Sequence, residues 1–284
     1  MEKTLKGYLR EYGSRPKKSL GQVFLIERSI QRKILELAEL GPEDTVVEIG
    51  PGTGTLTRDI LPRVKRLIAL EIDPSLASFL HGSMKDSSNL KLLCADALRF
   101  DYQKASAGLR TRLKVVGNLP YLISAPLILT FLEQREAFSL LILMLQKEVA
   151  QRLTAPACTR QYGALSVLCR FYFDLRLERQ VSRNCFYPVP KVDSAVIRFV
   201  AKEPTLFPPR AERAFREVVR AAFSKRRKTL FNALRSSLQT DIDGERLRKM
   251  LEECGVDPQR RPETLSVEEY ARLALRLQEN LPLR

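Results

Sequence analysis

Ile30, Ile34, Leu35, Leu37 and Ala38 recur at helical spacing, which predicts a helix from about Ser29 that Gly41-Pro42 stops. Downstream the period changes. Thr45–Ile49 is a short, mostly apolar stretch of the kind a strand buried on both faces shows, and a glycine-rich turn leads from it into a helix starting near Thr55. Leu67–Glu71, Leu90–Cys94, Leu113–Gly117 and Ser139–Leu145 repeat that signature, with Pro74 suited to the first turn of an intervening helix. Strands separated by helices predict a parallel sheet covered on both faces, an α/β fold.

Past Gly163 the pattern shifts. Leu165–Val181 and Ser194–Val200 read as long strands joined by a Pro-rich segment, Phe186–Pro190. After Lys202–Pro209 every segment is helical by pattern: Arg210–Phe223, Arg226–Leu238, Glu245–Cys254 and Ser266–Leu277. The expected division is therefore an α/β domain over 1–201, opening with a mobile basic arm, and a small all-helical domain over 202–284. A chain of 284 residues is long enough for two unequal domains.

The longest apolar run, around Ser139–Leu145, is far short of the ~20 residues of a membrane span, and MEKTLKGYLR lacks the apolar core of a signal peptide. A cytoplasmic protein with no membrane partner is expected. Five cysteines form no CxxC pair and suit a reducing compartment, while His81 is the single histidine. That shortage argues against a metal site and against a histidine-activated nucleophile.

Charge changes the picture more. The formal net charge is +15, which favours a polyanionic partner. Between Arg210 and Arg235 nine basic residues face two acidic ones, a local net of +7, so the charge is concentrated in a patch. Within it, Arg213, Arg216 and Arg220 share one face of the expected helix, and Lys225, Arg226, Arg227 and Lys228 follow at the start of the next. Such a patch suits phosphate contacts, which position a nucleic acid without reading its sequence. Charge reversal at Arg226 and Arg227 is expected to weaken binding and flatten its salt dependence. Lys3, Lys6, Arg10, Arg15, Lys17 and Lys18 form a second candidate clamp.

Gly50-Pro-Gly52-Thr-Gly54 follows the first strand, and such glycines let a ligand approach the backbone. Glu71 lies at the end of the second strand, where a carboxylate accepts from ribose hydroxyls, and Asp96 lies just beyond the third. Three strand ends thus face one crevice and point to a nucleoside cofactor. The spacing is G-x-G-x-G, not the G-x-G-x-x-G of dinucleotide sites. Acidic surroundings (Glu48, Glu71, Asp96) suit a cation, and S-adenosylmethionine is a sulfonium.

Asn118-Leu119-Pro120-Tyr121 follows the fourth strand at the same edge. An adenine amine is a poor nucleophile because its lone pair is delocalised. Acceptors on its hydrogens, the Asn118 amide oxygen and the Leu119 carbonyl, would draw it toward tetrahedral geometry and stabilise the developing charge. Pro120 stiffens the turn, and Tyr121 offers a face on which a flipped base can stack.

Together with the glycine loop and Asn118–Tyr121, three blocks resemble the small-subunit rRNA adenine dimethyltransferases: Lys17–Leu25, Phe186–Ser194 and Ala222–Leu234. The last two are the more diagnostic, and the likeness spans roughly residues 15–280. The resemblance implies a Rossmann-like methyltransferase sheet with a helical C-terminal domain. It also implies transfer of methyls from S-adenosylmethionine to two adjacent adenosines near the 3′ end of 16S rRNA, during small-subunit assembly. By position it assigns Val23, Leu25, Gly50, Gly52, Gly54, Glu71, Asp96 and Asn118 to the cofactor, and Phe186 to a second stacking wall opposite Tyr121. One departure is Val23, where the family usually has asparagine; valine offers only backbone or apolar contact, which implies lower cofactor affinity.

Alternatives stay open: a large-subunit (23S) rRNA adenine methyltransferase of the macrolide-resistance type, or a non-catalytic assembly factor. A DNA adenine methyltransferase fits less well, since those enzymes usually carry Asp/Asn-Pro-Pro-Tyr and larger recognition domains. A basic RNA-facing surface gives no reason to expect more than a monomer.

Overall fold

The computed structural model describes residues 16–202, 208–225, 227–238 and 242–278. Its packing divides the chain into two units, one of residues up to Ala150 with Asp174–Ala201, the other of Gln151–Phe173 with the residues from Lys202 onward. One division falls between Ala201 and Lys202, close to where the helical pattern begins, but residues 151–173 belong with the helical unit.

The first unit is built on a seven-stranded sheet of β2 (Thr45–Ile49), β3 (Arg66–Glu71), β4 (Leu90–Cys94), β5 (Leu113–Asn118), β6 (Phe138–Gln146), β7 (Phe173–Val181) and β9 (Ser194–Ala201), in the order β4-β3-β2-β5-β6-β9-β7. Strands β2 to β6 are parallel, and β9 runs antiparallel to β6. Every residue of β2 is buried, as a strand covered on both faces requires. One face packs on Ile30, Ile34, Leu35, Leu56 and Ile60 from the helices α1 (Arg28–Leu37) and α2 (Thr55–Ile60). Helices α3 (Pro74–Ser83), α4 (Tyr102–Leu109) and α5 (Ser124–Glu133) complete the connections, and α6 (Lys147–Thr154) carries the chain from β6 into the second unit. Tyr102, Phe131 and Phe138 meet edge-on or tilted in an aromatic cluster. A separate two-stranded ladder joins β1 (Phe24–Leu25) to β8 (Phe186–Tyr187).

Because β2 lies between β3 and β5, the connections on its two sides run in opposite directions, and a crevice opens at the carboxyl ends of these strands.

The second unit contains α7 (Ala164–Tyr172), α8 (Pro209–Phe223), α9 (Leu230–Ser237), α10 (Gly244–Glu253) and α11 (Val267–Leu277). Two sequence expectations are corrected here. The stretch expected as one strand, Leu165–Val181, is a helix to Tyr172 and a strand from Phe173. Its helical part begins at Gly163, whose N–H donates to Ser166 Oγ at 3.0 Å, and it buries Val167, Leu168, Phe171 and Tyr172, so the apolar run carries no strand period. The helix expected from Arg226 starts only at Leu230, where Thr229 Oγ1 accepts from Asn232 N. Lys225, Arg227 and Lys228 therefore lie in the turn before it.

Candidate active site

A cavity open to solvent occupies the crevice. It is lined by Gly50 and Gly52 after β2, Glu71 at the end of β3, Asp96 after β4, Asn118 at the end of β5 with Pro120 beyond it, and by Val23 and Leu25 from the N-terminal segment. Of the residues assigned from sequence, these eight converge on one space. Gly54, Leu119, Tyr121 and Phe186 do not line it.

Each absence has a physical reason. Gly54 has φ +78°, and a Cβ there would lie 2.5 Å from Met84 Cε and 2.6 Å from Leu80 Cδ2, so its smallness serves packing. Leu119 turns its side chain fully into the core, while its N–H donates to Met144 O at 3.1 Å. Tyr121 is half-buried, its hydroxyl 2.8 Å from Ser194 Oγ, and burial raises its pKa. Phe186 is 1% exposed within the apolar cluster that Leu25 and Cys185 pack against, so it presents no open stacking face.

The carboxylates are held in place. Glu71 accepts from Gly52 N at 3.1 Å and from Asp73 N at 3.0 Å, and burial raises its pKa against the pull of these amides. The Gly52 N–H is brought close by a φ of +60°, with the Phe24 ring 3.0 Å from where a Cβ would stand. Asp96 Oδ1 accepts from Leu98 N at 2.9 Å. Glu48, 2% exposed, is pushed up to about 7 by desolvation, with Thr57 drawing it down and Glu71 pushing it further up.

Asn118 Nδ2 donates to the Val23 carbonyl at 2.9 Å, which leaves Asn118 Oδ1 buried without a partner. Glu48 Oε2 and Gln31 Oε1 are likewise buried and unpartnered, and both residues line the same cavity. Three unsatisfied acceptors around one space fit a ligand rich in donors and positive charge. At Gly50 a Cβ would meet nothing nearer than the Asn118 carbonyl at 3.9 Å, leaving the backbone open to a ligand. Both features fit a sulfonium that also carries an ammonium group and an adenine amine.

Gln31 was missed by the sequence reading, although it stands one and two turns before Leu35 and Ala38 on the buried face of its helix. A polar residue in an apolar stripe was the available signal. Gln22 and Asp73 were also missed; Asp73, just before Pro74, is the N-cap of α3, and its side chain is fully buried.

In the second unit, Arg213, Arg220, Lys225, Arg227 and Lys228 are exposed, and Arg226 lies outside the described residues. Arg216 differs from its neighbours. It is half-buried, donating from Nε to the Tyr172 hydroxyl at 3.2 Å and pairing with Glu212 at 3.4 Å. Arg213 pairs with Glu217 at 3.3 Å. In the N-terminal clamp, Lys17 is bound to Asp73 at 2.7 Å, while Lys3, Lys6, Arg10 and Arg15 fall outside the described residues.

This strand order, with a glycine turn and acceptor-lined crevice at the switch point, defines a Rossmann-like methyltransferase. The family described as Ribosomal RNA adenine dimethylase matches residues 13–279, and the chain belongs to it. The ribosomal RNA small subunit methyltransferase A of Clostridium botulinum is 40% identical over 269 residues, covering 95% of this chain and 96% of its own. The protein of the same name from Geobacter metallireducens is 42% identical over 269 residues, covering 94% and 97%. Among solved structures, a dimethyladenosine transferase from Plasmodium falciparum matches with a TM-score of 0.78 at 26% identity, over 90% of this chain and 98% of that one. The 23S rRNA methyltransferase ErmE matches at 0.69 and 28%, over 89% and 99%. The methyl donor of the family is S-adenosylmethionine, the cofactor expected from the acidic crevice.

Proposed function

We propose that this protein methylates the N6 amine of two adjacent adenosines near the 3′ end of small-subunit rRNA, two methyls on each, acting as a cytoplasmic monomer without a metal. The observation that carries this reading is the unpartnered Asn118 Oδ1, fixed by the Val23 carbonyl at the rim of an acceptor-lined cavity. The cofactor supplies an electrophilic methyl on a positively charged sulfur. Asn118 Oδ1 and the Leu119 carbonyl accept from the target amine, localise its lone pair and stabilise the charge that develops on nitrogen. The proton becomes acidic after transfer and leaves to water, so no general base is required. Pro120 holds the turn, Tyr121 supplies the stacking face, and Arg213, Arg220, Lys225, Arg227 and Lys228 hold phosphates.

Relatives near 40% identity named for the small subunit favour this reading over the large-subunit alternative, represented by ErmE at 28%. The test is methyl transfer from labelled S-adenosylmethionine into small subunits lacking the modification, with large subunits alongside. Dimethyladenosine in the small subunit alone is the expected result. Label in the large subunit would move the protein to the other branch, and RNA binding without label in either would make it an assembly factor.

A further inference from the structure

The segment Lys17–Leu25 crosses the mouth of the cavity and is tied to both of its banks. On the β3 side, Lys17 Nζ meets Asp73 Oδ1 at 2.7 Å and Gln22 Nε2 donates to Asp73 Oδ2 at 2.9 Å. The Lys17 N–H closes the turn on Gln22 Oε1 at 2.9 Å, so the two groups that grip Asp73 also grip one another. Across the crevice, the Val23 carbonyl accepts from Asn118 Nδ2, and a Cβ at Gly21 would stand at ordinary contact distance from Leu122, 3.6 Å, and Pro120, 3.7 Å. The far end is pinned by Gln31 Nε2 on the Leu25 carbonyl at 2.9 Å and by the β1–β8 ladder. Within this segment, Leu20 to Leu25 line the cavity.

The pinned end rests on a ladder and a buried amide, whereas the Lys17 end rests on one carboxylate. That carboxylate is fully buried, yet its burial is outweighed by Lys17, Gln22 and the Ser75 N–H, which hold it below its usual range. Both Asp73 oxygens are committed to the segment, and its backbone is fixed by the Glu71 carboxylate beneath the same cavity.

We infer that Asp73 is a positioning residue: it latches the Lys17–Leu25 strap across the cofactor cavity, so that cofactor exchange requires the strap to lift, and it thereby steadies the Val23 carbonyl that orients Asn118. This rests on the cavity being the cofactor site. The latch separates two duties of Asp73, because capping α3 needs only a short acceptor on Ser75 N, while gripping Lys17 and Gln22 needs both carboxylate oxygens.

The experiment measures release of S-adenosylhomocysteine from the full chain by rapid mixing, with the thermal midpoint taken on each sample. Asp73→Ser keeps a capping side chain and loses the grip; Lys17→Met leaves the cap untouched; Lys17→Arg keeps the cation. Release is expected to quicken roughly tenfold in Asp73→Ser and Lys17→Met, with a lower midpoint for Lys17→Met, whose buried carboxylate loses its cation, and to stay near wild type in Lys17→Arg. The double variant Asp73→Ser/Lys17→Met should be no faster than Asp73→Ser alone, since both remove one latch. Unchanged release in folded Lys17→Met, or strictly additive effects in the double variant, would overturn the latch. Failure of the wild type to bind S-adenosylhomocysteine would instead overturn the reading of the cavity.

Discussion

Asn118 donates from its side-chain nitrogen to the Val23 carbonyl oxygen at 2.9 Å. This bond sets which way the amide faces, because the nitrogen must meet the carbonyl and the oxygen is left unpartnered in the cavity. It also answers the departure at position 23, where valine replaces the asparagine usual in the family. The contact runs through backbone and survives any side chain there. Asn118→Ala should therefore cut methyl transfer by at least about 10²-fold while RNA binding persists. Asn118→Asp should do the same, since a carboxylate cannot donate to Val23. Val23→Ala should leave transfer close to wild type. Transfer at the wild-type rate by Asn118→Ala in the labelled-cofactor assay would remove the tetrad from the chemistry.

Gly50 and Gly54 share a motif and a positive φ but differ in what surrounds them. Gly54→Ala drives a methyl against Leu80 and Met84 and should cost about 1–3 kcal/mol of stability. The folded fraction should still bind cofactor, because Gly54 does not line the cavity. Gly50→Ala meets open space, so it should weaken S-adenosylhomocysteine binding more than its backbone strain lowers the melting temperature. Calorimetric titration beside thermal melts separates the two, and equal loss of affinity in both variants would contradict the packing role of Gly54.

Much of this site was legible in the chain because strand ends are local. A glycine turn after β2, Glu71 closing β3, Asp96 past β4 and Asn118 closing β5 need only the alternation of apolar runs and helices to be placed on one edge. Lys17 and Gln22 were not legible as partners of the site, since their roles depend on Asp73, 56 and 51 positions away, whereas Gln31 was marked only by its polarity within an apolar stripe. The 164–181 segment misled for a different reason: burial on every side of α7 erases the period that tells helix from strand. Phe186 shows the converse, a residue whose block was recognised but whose buried ring gives it no open face.

The basic patch divides into two kinds of arginine. Arg227 and its neighbour Lys228 are exposed in a turn, so reversing both to glutamate should weaken RNA binding. For single-stranded contacts it should also reduce the slope of log affinity against log salt by about 0.7 for each phosphate lost. Arg216 is occupied by Tyr172 and Glu212, so Arg216→Met should act mainly on stability, lowering the melting temperature with little change in salt slope. Binding isotherms from low to high salt check both, and a salt slope unchanged by the double reversal would exclude the turn from the interface.

Glu48 gives the site a pH dependence whose sign follows from its burial. Its carboxyl is raised from 4.5 to about 7, so the folded protein prefers it protonated. The associated stability, on the order of 3 kcal/mol, is complete below pH 4.5 and is lost as pH rises through 7. The unliganded protein should thus lose melting temperature across that interval, and Glu48→Gln should flatten the decline. A cationic cofactor reverses the preference, since positive charge beside Glu48 favours the carboxylate. Binding S-adenosylmethionine near pH 7 should then release protons, seen as a difference in titration heat between buffers of unlike ionisation enthalpy. Glu48→Gln should shrink that release. Equal proton release in the two proteins would mean that Glu48 stays protonated beneath the cofactor and that its unpartnered oxygen is not where the positive charge sits.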